Sequence, residues 1–471
     1  MARASRPRDD EVIGSAAADA FYLGRYRDEK TGRIGPKLQM PGSEPVVIIG
    51  RNRSGKDAGI GSYNGLQLAG NKSWFVLDPR GEAAAITAPY RRTLGPVYII
   101  NPFGVLTDIA GYRDLRSDGF NALTALNADS PRFFDDAAGV GEALIKIESK
   151  DPHWSLSARG LVTGLVMWEV MEARREGRTP LLANVRAMLT EADVRDEDRK
   201  LVKGFTLTAE RLAREGGPQV ASLVGRFTAD NDEVQGVRAT ADGQTLSLLS
   251  DPIRKDEAKG RLRLSELGDR PTTVYAILPH EMVHESGIHS GYLRLMVSAA
   301  LRSLYRPSAT ICTFWLNEFA ALGRLGPVET ALGLVAGYGI QLVVVVQSLT
   351  QLKLHYEEGW ENFLGQAGAV ALVGPPADKF TAEYLSSRSG EKTILQPNIS
   401  MSLNPGGPSL SSGESYTRRQ YLMPQDLYSL QPGDGYVWVA GLSNAIPTYF
   451  PPYWDVERLD ERARANPYYR G

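Results

Sequence analysis

The stretch VVIIGRNRSGKDAGIG occupies residues 46–61 and joins a short apolar run to a glycine-rich turn. Val46–Ile49 predicts a buried strand, because β-branched side chains favour strands that are covered on both faces. Gly50, Gly55 and Lys56 follow with the spacing G-x-x-x-x-G-K, which is typical of a phosphate-binding loop. Glycine allows backbone N–H groups to turn around an anion, and the lysine adds a positive charge for the outer phosphates. The stretch therefore predicts a strand, a phosphate-binding loop and the start of a helix.

The predicted phosphate-binding residues are the loop itself and the first residues of the helix: Gly50, Arg51, Asn52, Arg53, Ser54, Gly55, Lys56, Asp57 and Ala58. One of them departs from the usual pattern. The residue after the lysine is normally Ser or Thr, whose hydroxyl binds magnesium, and here it is Asp57. Taken alone, the motif also fits an ordinary glycine-rich turn, so the interpretation needs further elements of a nucleotide site.

The 471-residue chain has a net charge of −2, so it carries no overall basic field for binding nucleic acid. Any contact with DNA must come from a local patch or from an assembled pore. The single cysteine, Cys312, excludes a disulfide within the chain and favours a reducing compartment. Apolar runs such as Leu342–Val346 are far shorter than the roughly 20 residues that span a bilayer, and the N-terminus lacks the apolar core of a signal peptide. We therefore expect a soluble, cytoplasmic chain without direct membrane insertion.

Further apolar runs rich in β-branched or aromatic residues predict additional strands: Ser73–Leu77, Val97–Ile100, Thr273–Leu278, Thr310–Leu316, Gln341–Val346 and Ala369–Val373. They alternate with helical patterns, which predicts an α/β fold with a mostly parallel central sheet. The β pattern is missing from residues 131–260, and we interpret this segment as an inserted all-α domain.

The predicted organisation has five parts: a polar arm at 1–40, the first part of a nucleotide-binding domain at 41–130, the all-α insertion at 131–260, the second part of the nucleotide-binding domain at 261–455, and a tail at 456–471. Within the second part, Ile394–Arg419 is rich in Ser, Asn, Pro and Gly and predicts a mobile loop or a hairpin. Tyr436–Val439 predicts a last strand at an edge of the sheet.

Polar residues at the ends of two predicted strands complete the candidate site. Thr310–Leu316 ends in Asn317 and Glu318, where a Walker B strand normally ends in Asp-Glu. In that pattern the Asp serves magnesium and the Glu polarises the attacking water, so Glu318 has its expected type while Asn317 is neutral. Gln347 follows the next predicted strand, at the position of a residue that senses the γ-phosphate in RecA-like ATPases. The predicted catalytic residues are therefore Lys56, Glu318 and Gln347, although each strand-end residue also fits a simple structural role.

Several stretches, in this order, resemble the TraG/TraD coupling proteins of conjugation and type IV secretion: Gly50–Gly61, FVLDPRGE, YIINPFG, Phe120–Leu123, LNEFAALGRLG, GYGIQLVVVVQSLTQL, YLSSRSGEKT and Tyr421–Pro424. The resemblance runs from about Tyr22 to Tyr453. It implies a RecA-like P-loop NTPase domain with an inserted all-α domain, assembled as a hexameric ring that recruits substrate and pumps DNA with ATP and Mg²⁺. The implied partners are DNA or a relaxase–DNA complex, type IV secretion components and further copies of the chain. The implied location is the cytoplasm, with peripheral contact to the inner membrane.

The sequence departs from this family in three respects. Most members carry N-terminal transmembrane helices, which we do not expect here, and both Asp57 and Asn317 are unusual for their positions. The two site changes could compensate each other, with Asp57 as the direct magnesium ligand and Asn317 hydrogen-bonding the metal's water. The alternative is an adaptor that binds nucleotide and recruits substrate but hydrolyses poorly. Arg324 and Arg388 are the candidates for an arginine that reaches the nucleotide of a neighbouring subunit.

A different class of function is suggested by HEMVH at residues 280–284, which matches the H-E-x-x-H motif of zinc metalloproteases. In that motif His280 and His284 bind zinc and Glu281 acts as the base. The motif requires a helix that brings both histidines to one face, whereas a predicted strand ends immediately before it. We therefore interpret it as a strand-exit loop and keep a zinc-dependent hydrolase as the least favoured alternative.

Overall fold

A computed structural model of the chain describes residues 20–67, 72–147, 152–229, 231–282, 287–404 and 407–469. Their contacts divide into two compact units. The first unit contains the described parts of Met1–Pro41, Val46–Tyr63 and Val345–Val456. The second unit contains those of Gly42–Pro45, Asn64–Val344 and Glu457–Gly471.

The described residues form strands β1 to β15, in chain order: Phe21–Arg27, Ile34–Met40, Val46–Ile49, Lys72–Leu77, Val97–Ile100, Val194–Arg195, Leu201–Lys203, Thr273–Ala276, Ile311–Leu316, Ile340–Val346, Ala369–Val373, Glu391–Asn404, Gly407–Gln420, Asp434–Val439 and Ile446–Tyr449. They also form α-helices α1 to α17: Ser62–Gln67, Glu82–Arg92, Phe133–Leu144, Pro152–Glu176, Leu182–Thr190, Phe205–Glu215, Gly217–Val224, Asp232–Gln244, Asp251–Lys259, Glu266–Asp269, Ser290–Ser303, Gly326–Leu334, Leu349–Tyr356, Glu361–Gly365, Lys379–Ser387, Pro424–Tyr428 and Glu457–Asp460.

In the first unit the strands lie in the order β2–β1–β15–β14–β11–β3. β3 pairs in parallel with β11, and the other neighbours are antiparallel. Every residue of β3 is fully buried, as the apolar run Val46–Ile49 requires. This buried strand delivers the chain directly into the glycine-rich loop.

In the second unit, which contains residues 340–344 of β10, the strands lie in the order β10–β9–β4–β8–β5, and every pair is parallel. Parallel strands need crossover connections, which helices such as α2 and α11 provide. All six residues of β4 are buried, and five of the six in β9. The fold is therefore α/β with a mostly parallel sheet, as predicted.

The residues from Phe133 to Lys259 that the structure describes form helices α3 to α9 and a short hairpin of β6 and β7. The segment is therefore mostly helical, but the prediction that it is entirely α-helical needs correction. They belong to the second unit. The long helix α4 buries Leu161, Leu165 and Trp168, which have at most 1% of their surface exposed. The apolar stripe of this helix is thus used for packing. The predicted boundaries of 131–260 as a separate domain stay a prediction.

Two local predictions need correction and one is confirmed. Residues 20–40, expected to be part of a polar arm, contain the paired strands β1 and β2, while residues 1–19 lie outside the described residues. Tyr436–Val439 belongs to β14, which pairs with both β11 and β15 and is therefore not an edge strand. Of the two structures proposed for Ile394–Arg419, the antiparallel hairpin is present as β12 and β13.

Candidate functional site

The glycine-rich loop leaves β3 and turns tightly into a helix. The N–H of Gly50 donates to the carbonyl oxygen of Val346 at 3.0 Å, and the N–H of Ser54 donates to the carbonyl oxygen of Arg51 at 3.2 Å. Gly55 has a φ of 95°, a conformation that a side chain would strain. A π-helical turn, Asp57–Gly61, follows and continues into α1. The predicted order of strand, loop and helix is confirmed.

The inner wall of the loop is closely packed. A Cβ atom on Gly50 would lie 2.6 Å from the Oγ of Ser54 and 3.1 Å from the carbonyl oxygen of Val373, which leaves no room for a side chain. Ser54 is 2% exposed, and its Oγ has no hydrogen-bond partner among the described residues. A buried polar atom without a partner is costly, and an anion in the loop would satisfy it. The loop therefore fits a phosphate group.

Lys56 and Asp57 begin the helix and differ in exposure. The side chain of Lys56 is 4% exposed and that of Asp57 is 47% exposed, with 3.9 Å between Nζ and Oδ2. The lysine side chain is thus buried, whereas the carboxylate borders solvent. Arg51, Asn52 and Arg53 are exposed at the outside of the loop, and Ala58 is half-buried.

Gln347 directly follows β10, whose last residue, Val346, accepts the hydrogen bond from Gly50. The structure therefore brings Gln347 and the loop into one unit. The backbone N–H of Gln347 donates to Oε1 of Gln351 at 2.9 Å, which fixes the backbone at the start of α13. Its role in sensing the γ-phosphate stays a prediction.

Asn317 and Glu318 follow β9 in the second unit. Glu318 has a φ of 52° and a ψ of 44°, the left-handed conformation that costs energy for a residue with a side chain. Its N–H donates to Oδ1 of Asn317 at 3.2 Å, and its carbonyl oxygen accepts from the N–H of Ala321 at 2.9 Å. The Asn317 side chain thus helps to stabilise the sharp backbone turn at Glu318.

The two arginines proposed to reach a neighbouring subunit, Arg324 and Arg388, each contact a side chain of their own chain. Arg324 forms an ion pair with Glu329, 3.3 Å from Nη2 to Oε2, and remains 54% exposed. The guanidinium of Arg388 lies 6.0 Å from the ring centre of Tyr384. Both could reach a second molecule only by leaving these contacts.

Of the HEMVH segment, the described residues include the first three. His280–Met282 forms a single 3₁₀ turn, and His284 lies outside the described residues. Within the part of the chain that the structure describes, no cluster of three His, Cys, Asp or Glu side chains could hold a metal ion.

Two strand-end polar residues have structural roles that sequence reasoning did not assign. Asp78, after β4, accepts the N–H of Ala84 at 2.8 Å and so holds the first turn of α2. Asn101, after β5, donates to the carbonyl oxygens of Val105 and Leu115, both at 2.9 Å. Both residues stabilise turns, and their position after a buried strand was the only signal in the sequence.

Comparison with known proteins identifies the family and the fold of the chain. A family profile described as "Type IV secretory system Conjugative DNA transfer" matches residues 1–458. The chain belongs to this family. Among solved structures, the unbound bacterial conjugative coupling protein TrwBdeltaN70 has a TM-score of 0.61 at 17% identity, over 93% of this chain and 95% of that chain. The complex of TrwB with a non-hydrolysable ATP analogue has a TM-score of 0.62 at 17% identity, over 93% of this chain and 96% of that one. At this identity the likeness shows a common fold.

Curated relatives of this conjugative DNA transfer family extend beyond the matched region. Conjugal transfer protein TraG of Escherichia coli is 26% identical over 84% of this chain and 63% of its own length. Protein VirD4 of Rhizobium rhizogenes is 26% identical over 84% of this chain and 59% of its own length. The chain thus spans about three fifths of the length of these relatives. In the described residues, no helix is long and apolar enough to cross a membrane.

Proposed function

We propose that the chain is a coupling-protein ATPase of a conjugation or type IV secretion system, which recruits and translocates DNA or a nucleoprotein substrate. The proposal rests on the phosphate loop of this member of the conjugative DNA transfer family. Lys56 and Ser54 are both buried in the loop, and the Ser54 hydroxyl has no hydrogen-bond partner among the described residues. A buried ammonium group and a buried hydroxyl without a hydrogen-bond partner together suit a bound polyphosphate.

We propose ATP with Mg²⁺ as the ligand of this loop. The loop amides and the Lys56 ammonium would hold its phosphates, and Asp57 would supply a carboxylate oxygen to the metal, a ligand that magnesium accepts readily. ATP supplies the free energy for moving the substrate. The turn at Glu318 would aim its carboxylate at water, and the Gln347 side chain would report the terminal phosphate. TrwB, which shares the fold, has been solved with an ATP analogue and with ADP and Mg²⁺.

We further propose that the chain works as a homo-oligomer, of hexameric form, on the cytoplasmic side of the inner membrane with type IV secretion components. Family membership supports this assignment. Arg324 and Arg388 are exposed enough to serve a neighbouring copy, once their contacts with Glu329 and Tyr384 are given up.

A second function, a nucleotide-binding adaptor with poor hydrolysis, is favoured by one observation. The Asn317 side chain accepts the N–H of Glu318 and supports the turn, a task that needs only an oxygen acceptor and no charge. A neutral residue at this position can therefore persist for structural reasons in a protein that binds ATP without turning it over.

ATP binding and turnover, measured with and without DNA, test these functions. The proposed ATPase should bind Mg²⁺-ATP and hydrolyse it faster with DNA, and Lys56→Ala should abolish both. Lys379→Ala is a matched control, because this lysine lies on α15 in the same unit with its side chain 82% exposed. Binding without DNA-stimulated turnover would support the adaptor, and failure of the unmodified chain to bind ATP would reject both functions.

A further inference from the structure

A polar cavity of about 370 Å³ lies in the first unit, at the base of the β12–β13 hairpin. Six charged or aromatic side chains that line it define the hairpin-base pocket: Glu29, Lys392, Tyr421, Asp426, Asp434 and Tyr436. Three of these carry carboxylates and one carries an ammonium group, so the lining has an excess of negative charge. No step of the proposed ATPase function uses this pocket.

Glu29 is held in a fixed orientation by two hydroxyl groups. Tyr436 donates to Oε1 at 2.8 Å, and Tyr421 donates to Oε2 at 3.0 Å. Burial, followed by the charge of Glu29, raises the pKa of both tyrosines, so both hydroxyls stay protonated and remain donors. Each carboxylate oxygen therefore keeps a further lone pair for a second donor.

The chain already places its own cations against this lining. The ammonium of Lys392 lies 5.3 Å from the centre of the Tyr421 ring, within cation–π distance. The guanidinium of Arg27 forms an ion pair with Asp434. The aromatic face and the carboxylates therefore accept nitrogen cations in the folded protein.

The size of the pocket and its carboxylate oxygens indicate which kind of cation it can bind. Among the described residues no group of three carboxylate, thiolate or imidazole side chains is arranged to hold a metal ion. A cavity of about 370 Å³ instead has room for an organic group. The two oxygens of Glu29, each with a lone pair available, match the planar fork of a guanidinium better than the single charge centre of an ammonium.

We propose that the hairpin-base pocket binds an arginine side chain presented by a polypeptide, with the guanidinium paired to Glu29 and stacked on Tyr421. The flexible Lys392 occupies the same aromatic face in the free protein and is displaced by the arginine. Tyr436 acts as a positioning residue, because its hydroxyl holds Oε1 of Glu29.

Titration of the whole chain with N-acetyl-argininamide, followed by NMR, tests the site. Its affinity should exceed that of the uncharged citrulline analogue by about tenfold or more, because only the arginine probe forms a charge-assisted pair with the Glu29 carboxylate. The lysine analogue should bind more weakly than the arginine probe. Glu29→Gln should remove most of the preference for arginine over citrulline, whereas Lys392→Ala should strengthen arginine binding.

Glu414→Gln is the matched control, because this glutamate is exposed on β13 in the same unit and does not line the pocket. Sedimentation velocity identifies the source of the arginine. Self-association weakened by Glu29→Gln indicates a second copy of the chain, and unchanged self-association with intact binding of the probe indicates another polypeptide. Equal affinity for the arginine and citrulline probes, or an arginine preference that survives Glu29→Gln, would overturn the proposal.

Discussion

The Nζ atom of Lys56 lies 3.9 Å from Oδ2 of Asp57, so the lysine of the phosphate loop has a carboxylate as its immediate neighbour. The lysine is buried and the carboxylate is about half exposed. The Asp57 carboxylate should therefore affect phosphate binding in opposite directions with and without magnesium. A bound metal ion turns the carboxylate into a ligand, whereas without metal the carboxylate repels phosphate.

Removing the Asp57 carboxylate should therefore change ATP affinity in opposite directions. In Mg²⁺, Asp57→Ala should bind ATP about tenfold more weakly, because a charged metal ligand is lost. In EDTA the same variant should bind ATP more tightly than the unmodified chain, because a negative group beside Lys56 is gone. Titration with a fluorescent ATP analogue measures both, and Asp455→Ala, at an exposed site in the same unit, is the control. Equal affinity of Asp57→Ala and the unmodified chain in Mg²⁺ would contradict the prediction.

The exchange of residue types at Asp57 and Asn317 should be reversible as a pair. If the two residues compensate each other, as the sequence hypothesis requires, Asn317→Asp alone adds a second carboxylate for the same metal ion and should reduce ATP turnover. Asp57→Thr combined with Asn317→Asp restores the usual residue types and should recover turnover beyond the sum of the two single changes. A double-mutant cycle measures this coupling. Additive effects would mean that the two changes are independent.

The strands and the phosphate loop could be predicted because their signals are local. β3 is four apolar residues that are all buried, and the glycine and lysine spacing of the loop follows within ten residues. β1 was missed although one of its partners, β2, is nearby in the sequence, because its other partner, β15, is remote. It contains Gly24 at a φ of 115°, which interrupts the alternation of the strand, and it pairs Arg25 with Tyr449. No pattern near residue 21 reports a partner more than 400 residues away.

The chemistry of the candidate site was only partly accessible from the sequence. Residue types at the strand ends singled out Glu318 and Gln347 as candidate catalytic residues. They did not predict the left-handed backbone conformation at Glu318. The hairpin-base pocket was not predicted from the sequence, because its residues come from distant parts of the chain. Glu29 and Tyr421 are 392 positions apart in the sequence, and neither residue on its own indicates a binding site.

Gly50 should tolerate no side chain. In Gly50→Ala the new Cβ would press on Ser54 Oγ and on the carbonyl oxygen of Val373, so the loop must widen, and we expect ATP binding to be lost while the fold is retained. Adding Ser54→Ala relieves the closer of the two contacts and should recover part of the affinity. Gly333→Ala, where a Cβ meets nothing within 4 Å, is the control. ATP binding by Gly50→Ala at the normal affinity would show that the loop is wider than its contacts indicate.

Arg294 on α11 should be required for stability. It is 6% exposed, and its guanidinium donates to the carbonyl oxygens of Ala143 at 3.0 Å and Leu144 at 3.3 Å, which end α3. Arg294→Met keeps the volume but leaves both carbonyl groups without these donors, so the free energy of unfolding should fall by about 3 kcal/mol. Urea denaturation measures the loss. Arg254→Met, at a mostly exposed arginine on α9, should change stability by less than about 0.5 kcal/mol.

Glu257 on α9 introduces a pH dependence of stability. It is 4% exposed and accepts the N–H groups of Leu182 at 2.5 Å and Ala183 at 3.3 Å, at the start of α5. Burial raises the pKa of its carboxyl group from 4.5 to about 7, and the nearby Glu169 contributes in the same direction. The folded protein therefore binds a proton that the unfolded chain releases between these two values.

Because the pKa is higher in the folded state, the stabilising contribution of protonated Glu257 is complete below pH 4.5 and is lost as the pH rises through about 7. Glu257→Gln stays neutral and shows no such loss, so it serves as the reference. The free energy of unfolding of the unmodified chain, minus that of Glu257→Gln, should fall by about 3 kcal/mol between these pH values. Urea denaturation at several pH values measures this difference. The contributions of the other titrating groups cancel, because both proteins contain them. A difference that is constant, or that rises with pH, would mean that Glu257 is charged in the folded protein and stabilised by the amides of α5.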